Sequence, residues 1–316
     1  MTELTAVATY DNRTAFAEEL VELARADERI VAVCNDSVGS SNLVAFRHEF
    51  PDRLVNVGIA EQNMVGVGAG LAAAGLVPFV CAAAPFLTGR ALEQIKADVA
   101  YSQHPVVLCG MSPGMAYGQL GPTHHSVEDL SWLRPLPGLD IVVPADRRQT
   151  RLAVRQAAAD PRPTFLRVGR YKVPDVTGDD DVLERGKFLQ QRPGDGVTVI
   201  ATGTMVSRAL DAAEQLAAAG ISARVLNAAY IAPLDVEAIT AAARETRAIV
   251  TAEEANVAGG LGAAVASVVS QLTDRSRVPM RILGLHEFAP TGSTADLLDY
   301  FGLTATRIAE AAKELL

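Results

Sequence analysis

Cysteine is scarce in this chain of 316 residues, which contains only Cys34, Cys81 and Cys109. Each lies in a short apolar run, and their spacing fits neither a disulfide framework nor a zinc site. We expect buried thiols in a protein of a reducing compartment. The N-terminus has no basic region followed by an apolar core, so the sequence predicts no secretory signal and a cytoplasmic location.

Basic residues are also too few to form a binding surface for polyanions. Lys and Arg number 28 against 37 Asp and Glu, which gives a net charge of -9 and a pI near 5.1. This balance argues against nucleic-acid and anionic-membrane partners, since both require basic patches. The hydrophobic content of 49% can fill a large core, and the length corresponds to about two domains.

Charge is missing altogether from residues 62–89, a run long enough to cross a bilayer. Its glycines and prolines divide it into a helical half, 63–74, a stop at Gly75 and a strand over 77–81. We therefore interpret the run as a buried helix and a buried strand, and we expect no membrane partner.

Helical stretches alternate with continuous apolar runs, a pattern typical of α/β folds with mostly parallel sheets covered by helices on both faces. A first domain is predicted over 1–175, a Pro-, Gly- and Asp-rich linker over 176–195, and a second domain over 196–316. The predicted helices are 14–26, 63–74, 90–101, 206–219, 236–244 and one from Gly260, and the predicted strands are 30–34, 54–57, 77–80, 106–109, 141–143, 197–201, 223–226, 248–251 and 280–283. Glycines 259, 260 and 262 lack the dinucleotide fingerprint and predict close packing at a helix start.

Glu61 is the one charged residue between Arg53 and Arg90, and it stands where an apolar run becomes a glycine-rich helix. A carboxylate at the edge of an uncharged stretch is expected in a dry pocket, where it can share a proton. The alternative is a glutamate that only complements the helix dipole.

Residues 57–64, Val-Gly-Ile-Ala-Glu-Gln-Asn-Met, resemble the signature of the transketolase-like thiamine diphosphate enzymes. The resemblance implies that Glu61 hydrogen-bonds the aminopyrimidine ring of the cofactor. An acid there favours the imino tautomer, so that the cofactor serves as its own base.

The resemblance covers two of the family's three α/β domains, the pyrimidine-binding and C-terminal domains. The Gly-Asp-Gly motif with its following Asn, which holds the metal in relatives, is not found here. The resemblance therefore implies that a partner chain supplies the diphosphate site and the ligands of Mg²⁺, which prefers hard oxygen donors. This is the arrangement of split transketolases, and the expected assembly is an α2β2 heterotetramer.

Residues 82–90, Ala-Ala-Ala-Pro-Phe-Leu-Thr-Gly-Arg, match the family stretch that lies against the pyrimidine. The match implies that Phe86 stacks on the ring and that Arg90 belongs to the cofactor site. Ala83 replaces an earlier phenylalanine of the family and thins the aromatic wall.

The glycine-rich stretch 110–125 is predicted to be a loop, and it resembles the family's substrate loop. The match implies that His124 faces the donor's carbonyl and hydroxyl groups. His125 replaces a glutamine, and Ser112 stands where sugar-phosphate transketolases carry a histidine. Leu120 replaces an aspartate that accepts a hydrogen bond from the acceptor's hydroxyl, which implies an unusual acceptor.

Three further residues align with phosphate ligands of the family. They are Arg13, Ser41 and Arg170, and the two arginines suit a phosphate because the guanidinium donates two bonds at once. For each one alone, a solvated surface position is the alternative.

The resemblance implies a subunit that moves a two-carbon ketol unit from a ketose to an acceptor. A second interpretation is an enzyme that transfers the two-carbon unit to a lipoyl or carrier-protein thiol. The pyruvate dehydrogenase beta subunit shares the architecture but matches residues 59–64 and 121–124 less well. A regulatory or scaffolding subunit that kept the fold without catalysis is the non-enzymatic alternative.

Overall fold

The computed structural model describes residues 8–273 and 278–316, and within them the chain forms two sheets covered by helices. The first sheet has seven strands in the order β10-β5-β6-β4-β3-β1-β2. All neighbours in it are parallel except β10, which runs antiparallel to β5. Its strands are β1 (Ile30–Cys34), β2 (Leu54–Asn56), β3 (Val77–Ala83), β4 (Val107–Met111), β5 (Asp140–Val142), β6 (Thr164–Val168) and β10 (Tyr230–Ala232).

Continuous burial of the central strands confirms the prediction of a sheet covered on both faces. Every residue of β1, β3, β4 and β6 is buried. Cys34, Cys81 and Cys109 are adjacent in the register of β1, β3 and β4, and all three are buried and free. Burial raises the pKa of the Cys34 thiol to about 11 and that of Cys81 well above its usual value, and all three cysteines are core residues, as predicted.

The helices of the first sheet include several that the sequence pattern did not predict. The bounds are α1 (Asn12–Ala26), α2 (Val44–Glu49), α3 (Glu61–Ala73), α4 (Ala84–Arg90), α5 (Leu92–Gln94), a π-helical segment (Ile95–Tyr101), α6 (Asp129–Leu133) and α7 (Arg147–Ala159), with 3₁₀ turns at Pro51–Arg53 and Gly118–Leu120. The helix predicted over 90–101 is therefore the short α5 continued as a π-helix, and α4 precedes it.

The second sheet has five strands in the order β12-β11-β8-β9-β7, of which β7 is antiparallel to β9. The strands are β7 (Leu189–Arg192), β8 (Val197–Ala201), β9 (Ala223–Asn227), β11 (Ile249–Asn256) and β12 (Met280–Leu285). The helices are α8 (Met205–Ala218), α9 (Val236–Glu245), α10 (Leu261–Ser270), α11 (Thr294–Tyr300) and α12 (Ala305–Leu315). Strand β7 lies inside the predicted linker, and β10 crosses to the first sheet, so the domain boundaries stay a prediction.

The glycines before α10 serve close packing. At Gly260 an added Cβ would lie 1.9 Å from a carboxylate oxygen of Glu253. That carboxylate accepts from the backbone N–H groups of Leu261 and Gly262 at 2.6 and 2.7 Å, which caps the helix. Burial nevertheless raises the pKa of Glu253 to about 7.

A buried polar network ties the two sheets together. Arg167 on β6 forms an ion pair with Asp129 at 2.8 Å and donates to the backbone carbonyl of Glu254 on β11 at 2.9 Å. The Glu254 carboxylate accepts from the Met115 N–H at 2.7 Å and from the Thr204 hydroxyl at 3.0 Å. The second sheet therefore holds the loop after β4. Over the described ranges, no helix is long and apolar enough to cross a membrane.

Candidate functional site

Several predicted site residues lie at the carboxyl ends of the parallel strands of the first sheet. The chain leaves β1 toward β2 on one side and returns to β3 on the other. A crevice opens at the carboxyl edge of such a switch point, and ligands bind there in open α/β sheets. Asn35 follows β1, Phe86 follows β3 and Ser112 follows β4.

Glu61 is the first residue of α3 and is 4% exposed, which confirms the expected burial. Its Oε1 atom accepts two hydrogen bonds, from Asn35 Nδ2 at 2.7 Å and from Arg90 Nη1 at 2.9 Å. Its Oε2 atom accepts none from the described residues. One oxygen is therefore saturated, and the other remains available to a ligand.

Aromatic and cationic side chains continue from Glu61 along the edge of the crevice. The Arg90 guanidinium lies 4.2 Å above the centroid of the half-buried Phe86 ring. His124 meets the Phe86 ring edge-on at 5.1 Å and the Tyr117 ring at 5.8 Å. The fold therefore brings Glu61, Arg90, Phe86 and His124 into one continuous wall.

Arg170 extends this wall through its contact with Tyr117. It is exposed, its guanidinium lies 5.4 Å from the centroid of the Tyr117 ring, and it makes no ion pair with any described residue. A planar cation without a carboxylate partner suits an anionic group of a ligand.

The loop after β4 carries Leu120 as well as His124. Leu120 closes the 3₁₀ turn and is 55% exposed. His125 is buried, its Nε2 lies 3.0 Å from the Gly118 carbonyl, and burial lowers its pKa. Ser112 begins the loop with a φ of 57°, and its buried hydroxyl has no partner among the described residues.

Arg13 and Ser41 lie on the β1 side of the site and do not join the aromatic wall. Arg13 forms a 2.6 Å ion pair with Asp11 and donates to the Ser40 carbonyl at 3.1 Å. Ser41 is fully buried, and its hydroxyl lies 3.1 Å from that of Ser37. Their predicted contact with a phosphate stays a prediction.

Sequence reasoning missed three residues that shape the site. Asn35 and Ser37 lie in the loop after β1, where the Ser37 hydroxyl donates to Asn35 Oδ1 at 2.5 Å. Tyr117 contacts both His124 and Arg170. Nothing in the sequence pattern singled out these common polar and aromatic residues, because their roles depend on contacts across loops.

The residues present fit the aminopyrimidine half of thiamine diphosphate. This edge of the sheet offers a buried carboxylate with one open oxygen and the half-buried Phe86 ring, both in contact with Arg90. Within 8–273 and 278–316, no cluster of three or more His, Cys, Asp or Glu side chains is placed to hold a metal ion.

Comparison with known families assigns both halves of the chain. Residues 8–175 match the pyrimidine binding domain of transketolase, and residues 186–308 match the transketolase C-terminal domain. The chain belongs to the transketolase family.

Two relatives that match almost the whole chain are transketolase subunits. The chain is 45% identical over 306 residues to a subunit of the apulose-4-phosphate transketolase of Phocaeicola vulgatus, covering 96% of this chain and 97% of the relative. It is 40% identical over 304 residues to a subunit of the 6-deoxy-6-sulfo-D-fructose transketolase of a Clostridium species, covering 96% and 94%. A solved split-gene transketolase, described as an inactive beta4 tetramer, superimposes with a TM-score of 0.88 at 38% identity, covering 98% and 99%.

These matches establish a transketolase subunit that acts with a partner chain, and the family implies dependence on thiamine diphosphate. The non-enzymatic alternative is therefore set aside.

Proposed function

We propose that this chain contributes the pyrimidine half of a composite active site, and that a partner subunit contributes the diphosphate half. The Glu61 carboxylate carries the proposal, because Asn35 and Arg90 saturate its Oε1 and leave Oε2 open beside Phe86. A cofactor ring stacked on Phe86 could reach that oxygen.

Glu61, Phe86 and Arg90 would hold the aminopyrimidine, and the partner would hold the diphosphate through Mg²⁺. When bound, thiamine diphosphate would supply the nucleophilic carbon that ketol transfer requires. Glu61 exchanges a proton with the pyrimidine nitrogen through Oε2. His124 orients the donor by hydrogen bonding, and its ring is fixed between Phe86 and Tyr117.

The donor is a ketose with an anionic end that Arg170 binds, with Arg13 as a second phosphate ligand on the β1 side of the site. The names of two relatives support an anionic substrate, since one contains a phosphate and the other a sulfo group. The full assembly is an α2β2 heterotetramer in the cytoplasm.

Reconstitution with the diphosphate-binding subunit tests the proposal. The complex should cleave a ketose phosphate in the presence of thiamine diphosphate and Mg²⁺, and Glu61→Gln should slow cleavage by about 10² to 10⁴-fold without preventing assembly. A Glu61→Gln complex that turns over at the wild-type rate would refute the assignment.

Leu120 defines the acceptor side of the proposal. An exposed isobutyl group cannot accept a hydrogen bond from a hydroxyl beside the acceptor's aldehyde, and an unpaired hydroxyl costs about 1 to 3 kcal/mol. The acceptor is therefore an aldehyde without that hydroxyl. The exposed apolar side chain also favours, as a second candidate, transfer to a lipoyl or carrier-protein thiol.

A competition assay separates these acceptors. Wild type should prefer a deoxy aldehyde over its 2-hydroxy analogue, and Leu120→Asp should reverse the preference. Strong preference of the wild type for the 2-hydroxyaldehyde, unchanged in Leu120→Asp, would show that Leu120 does not face the acceptor.

A further inference from the structure

A line of hydrogen bonds leads through the loop after β1 to the Glu61 carboxylate. The Ser41 and Ser37 hydroxyls lie 3.1 Å apart, Ser37 Oγ donates to Asn35 Oδ1 at 2.5 Å, and Asn35 Nδ2 donates to Glu61 Oε1 at 2.7 Å. Asn35 and Ser41 are buried, 7% and 0% exposed. The line therefore lies largely inside the protein.

The bonds in this line have a fixed direction. A hydroxyl has one hydrogen, so the Ser37 hydroxyl that donates to Asn35 must accept from Ser41. The amide oxygen of Asn35 is then occupied, and its NH₂ group must face Glu61. Asn35 can therefore only donate to Oε1.

Arg90 also only donates, because a guanidinium has no acceptor. With two N–H groups directed at Oε1, a proton on that oxygen would meet a donor hydrogen. A proton that Glu61 shares must therefore reside on Oε2.

The backbone between Asn35 and Ser37 supports the hydrogen bond between their side chains. Asp36 has a φ of 69°, in the left-handed region that non-glycine residues rarely adopt. Asn56 holds it there, accepting from the Asp36 N–H at 3.0 Å and donating to its carboxylate at 3.1 Å. The resulting turn lets the side chains of Asn35 and Ser37 meet, although they are two residues apart.

We propose that Asn35, oriented by Ser37 and Ser41, is a positioning residue that confines the exchangeable proton of Glu61 to Oε2, the oxygen open to the cofactor. Ser41 then acts through this relay rather than by touching substrate. The inference rests on the proposed cofactor site and adds to it a specific proton position.

The test uses the reconstituted complex and follows hydrogen exchange at the thiazolium carbon of bound thiamine diphosphate as a function of pH. Calorimetry of cofactor binding and thermal unfolding are measured alongside. Asn35→Ala should slow exchange about tenfold to a hundredfold, while the cofactor Kd changes less than the exchange rate. Ser37→Ala should slow exchange less, and Ser40→Ala, in the same loop but outside the relay, should leave it unchanged.

Asn35→Asp is the sharper variant. It places a second carboxylate beside Glu61, where the amide nitrogen now lies 2.7 Å from Oε1. Two adjacent carboxylates retain a proton to higher pH, so the exchange profile should move to higher pH by about one unit or more.

Wild-type exchange rates and an unshifted pH profile in both Asn35 variants would overturn the inference. So would an equal loss in Ser40→Ala and Ser37→Ala. A wild-type complex that binds no thiamine diphosphate would instead refute the proposed function itself, so the two failures are distinguishable.

Discussion

At the scale of single residues, the two oxygens of Glu61 have different environments. Asn35 and Arg90 reach Oε1 at 2.7 and 2.9 Å, and Oε2 receives no bond from the described residues. In Glu61→Gln the amide oxygen can replace Oε1, so the fold should survive. The lost acid should reduce turnover by about 10² to 10⁴-fold.

Thermal unfolding and exchange at the thiazolium carbon of the bound cofactor check this prediction. The melting temperature should stay near the wild-type value while exchange slows. Glu18→Gln, at an exposed glutamate paired with Arg151, is the matched control and should change neither. Undiminished exchange in Glu61→Gln would exclude Glu61 as the proton relay.

Arg170 and Arg13 differ in their ion pairs within the protein. Arg170 makes no ion pair within the described ranges, whereas Arg13 is held by Asp11 at 2.6 Å. Arg170→Ala should raise the KM for an anionic donor about tenfold with little change in kcat, because charge-assisted bonds contribute about 1.5 kcal/mol or more. Arg13→Ala should also lower thermal stability. An equal rise in KM for an uncharged donor would show that Arg170 acts structurally.

The sequence predicted candidate site residues but not their contacts. Glu61, Phe86 and His124 were found through motifs whose residue types carry the chemistry. The bonds of Glu61 to Asn35 and Arg90 join residues 26 and 29 positions apart. Such contacts depend on how loops meet at the sheet edge, and hydrophobic periodicity contains no information about them.

At the scale of elements, the 3₁₀ turn Gly118–Leu120 depends on a close approach from the second sheet. Gly118 has a φ of 41°, and an added Cβ would lie 2.7 Å from the Gly292 carbonyl oxygen. Gly118→Ala should displace the loop that carries Leu120 and His124. Such a displacement of about 1 Å commonly costs a hundredfold in rate.

Gly220→Ala is the control for this change, because Gly220 has a φ of 77° with nothing within 4 Å of an added Cβ. It reproduces the backbone strain, about 1 to 2 kcal/mol, without the contact. Steady-state kinetics of both complexes, with melting temperatures, separate the effects. Equal activity losses in the two variants would contradict a specific role of the contact.

The Glu253 carboxylate, which caps helix α10, should make the free energy of unfolding depend on pH. Burial raises the pKa of this carboxylate to about 7. The folded state then binds a proton that the unfolded state has lost. The stabilisation from this group is complete below the ordinary glutamate pKa and is lost as the pH rises through about 7.

Glu253→Gln should therefore reduce the fall in stability between pH 5 and pH 8, by at most about 3 kcal/mol. Denaturant unfolding at several pH values measures it. Glu237→Gln is the control, since Lys187 lowers the pKa of that exposed carboxylate and its contribution is lost at low pH instead. A wild-type fall retained in full by Glu253→Gln would contradict the assignment.

Elements that depend on tertiary contacts could not be predicted from the sequence pattern. Helix α4 contains the poor helix formers Pro85 and Gly89, yet Pro85 lies in its first turn, where the missing N–H costs nothing. Strand β10 has only three residues and forms by pairing with β5 across the molecule. The central strands were predictable because they are buried on both faces.

At the scale of the whole molecule, we propose that the chain forms half of an active site. It supplies a carboxylate with one open oxygen, a stacking ring and a substrate loop, while the network around Arg167 fixes the two sheets to each other. The two-domain α/β organisation was predictable from strand and helix alternation. The crossing of β10 into the first sheet was not predictable, because β10 follows strands of the second sheet in the sequence but pairs with β5 of the first.

Calorimetric titration with thiamine diphosphate and Mg²⁺ tests the central claim most directly, with this chain alone and with the diphosphate-binding subunit added. The account predicts weak or no binding by the chain alone, and tight binding with ketol transfer by the mixture. Tight binding and turnover by the chain alone would contradict it.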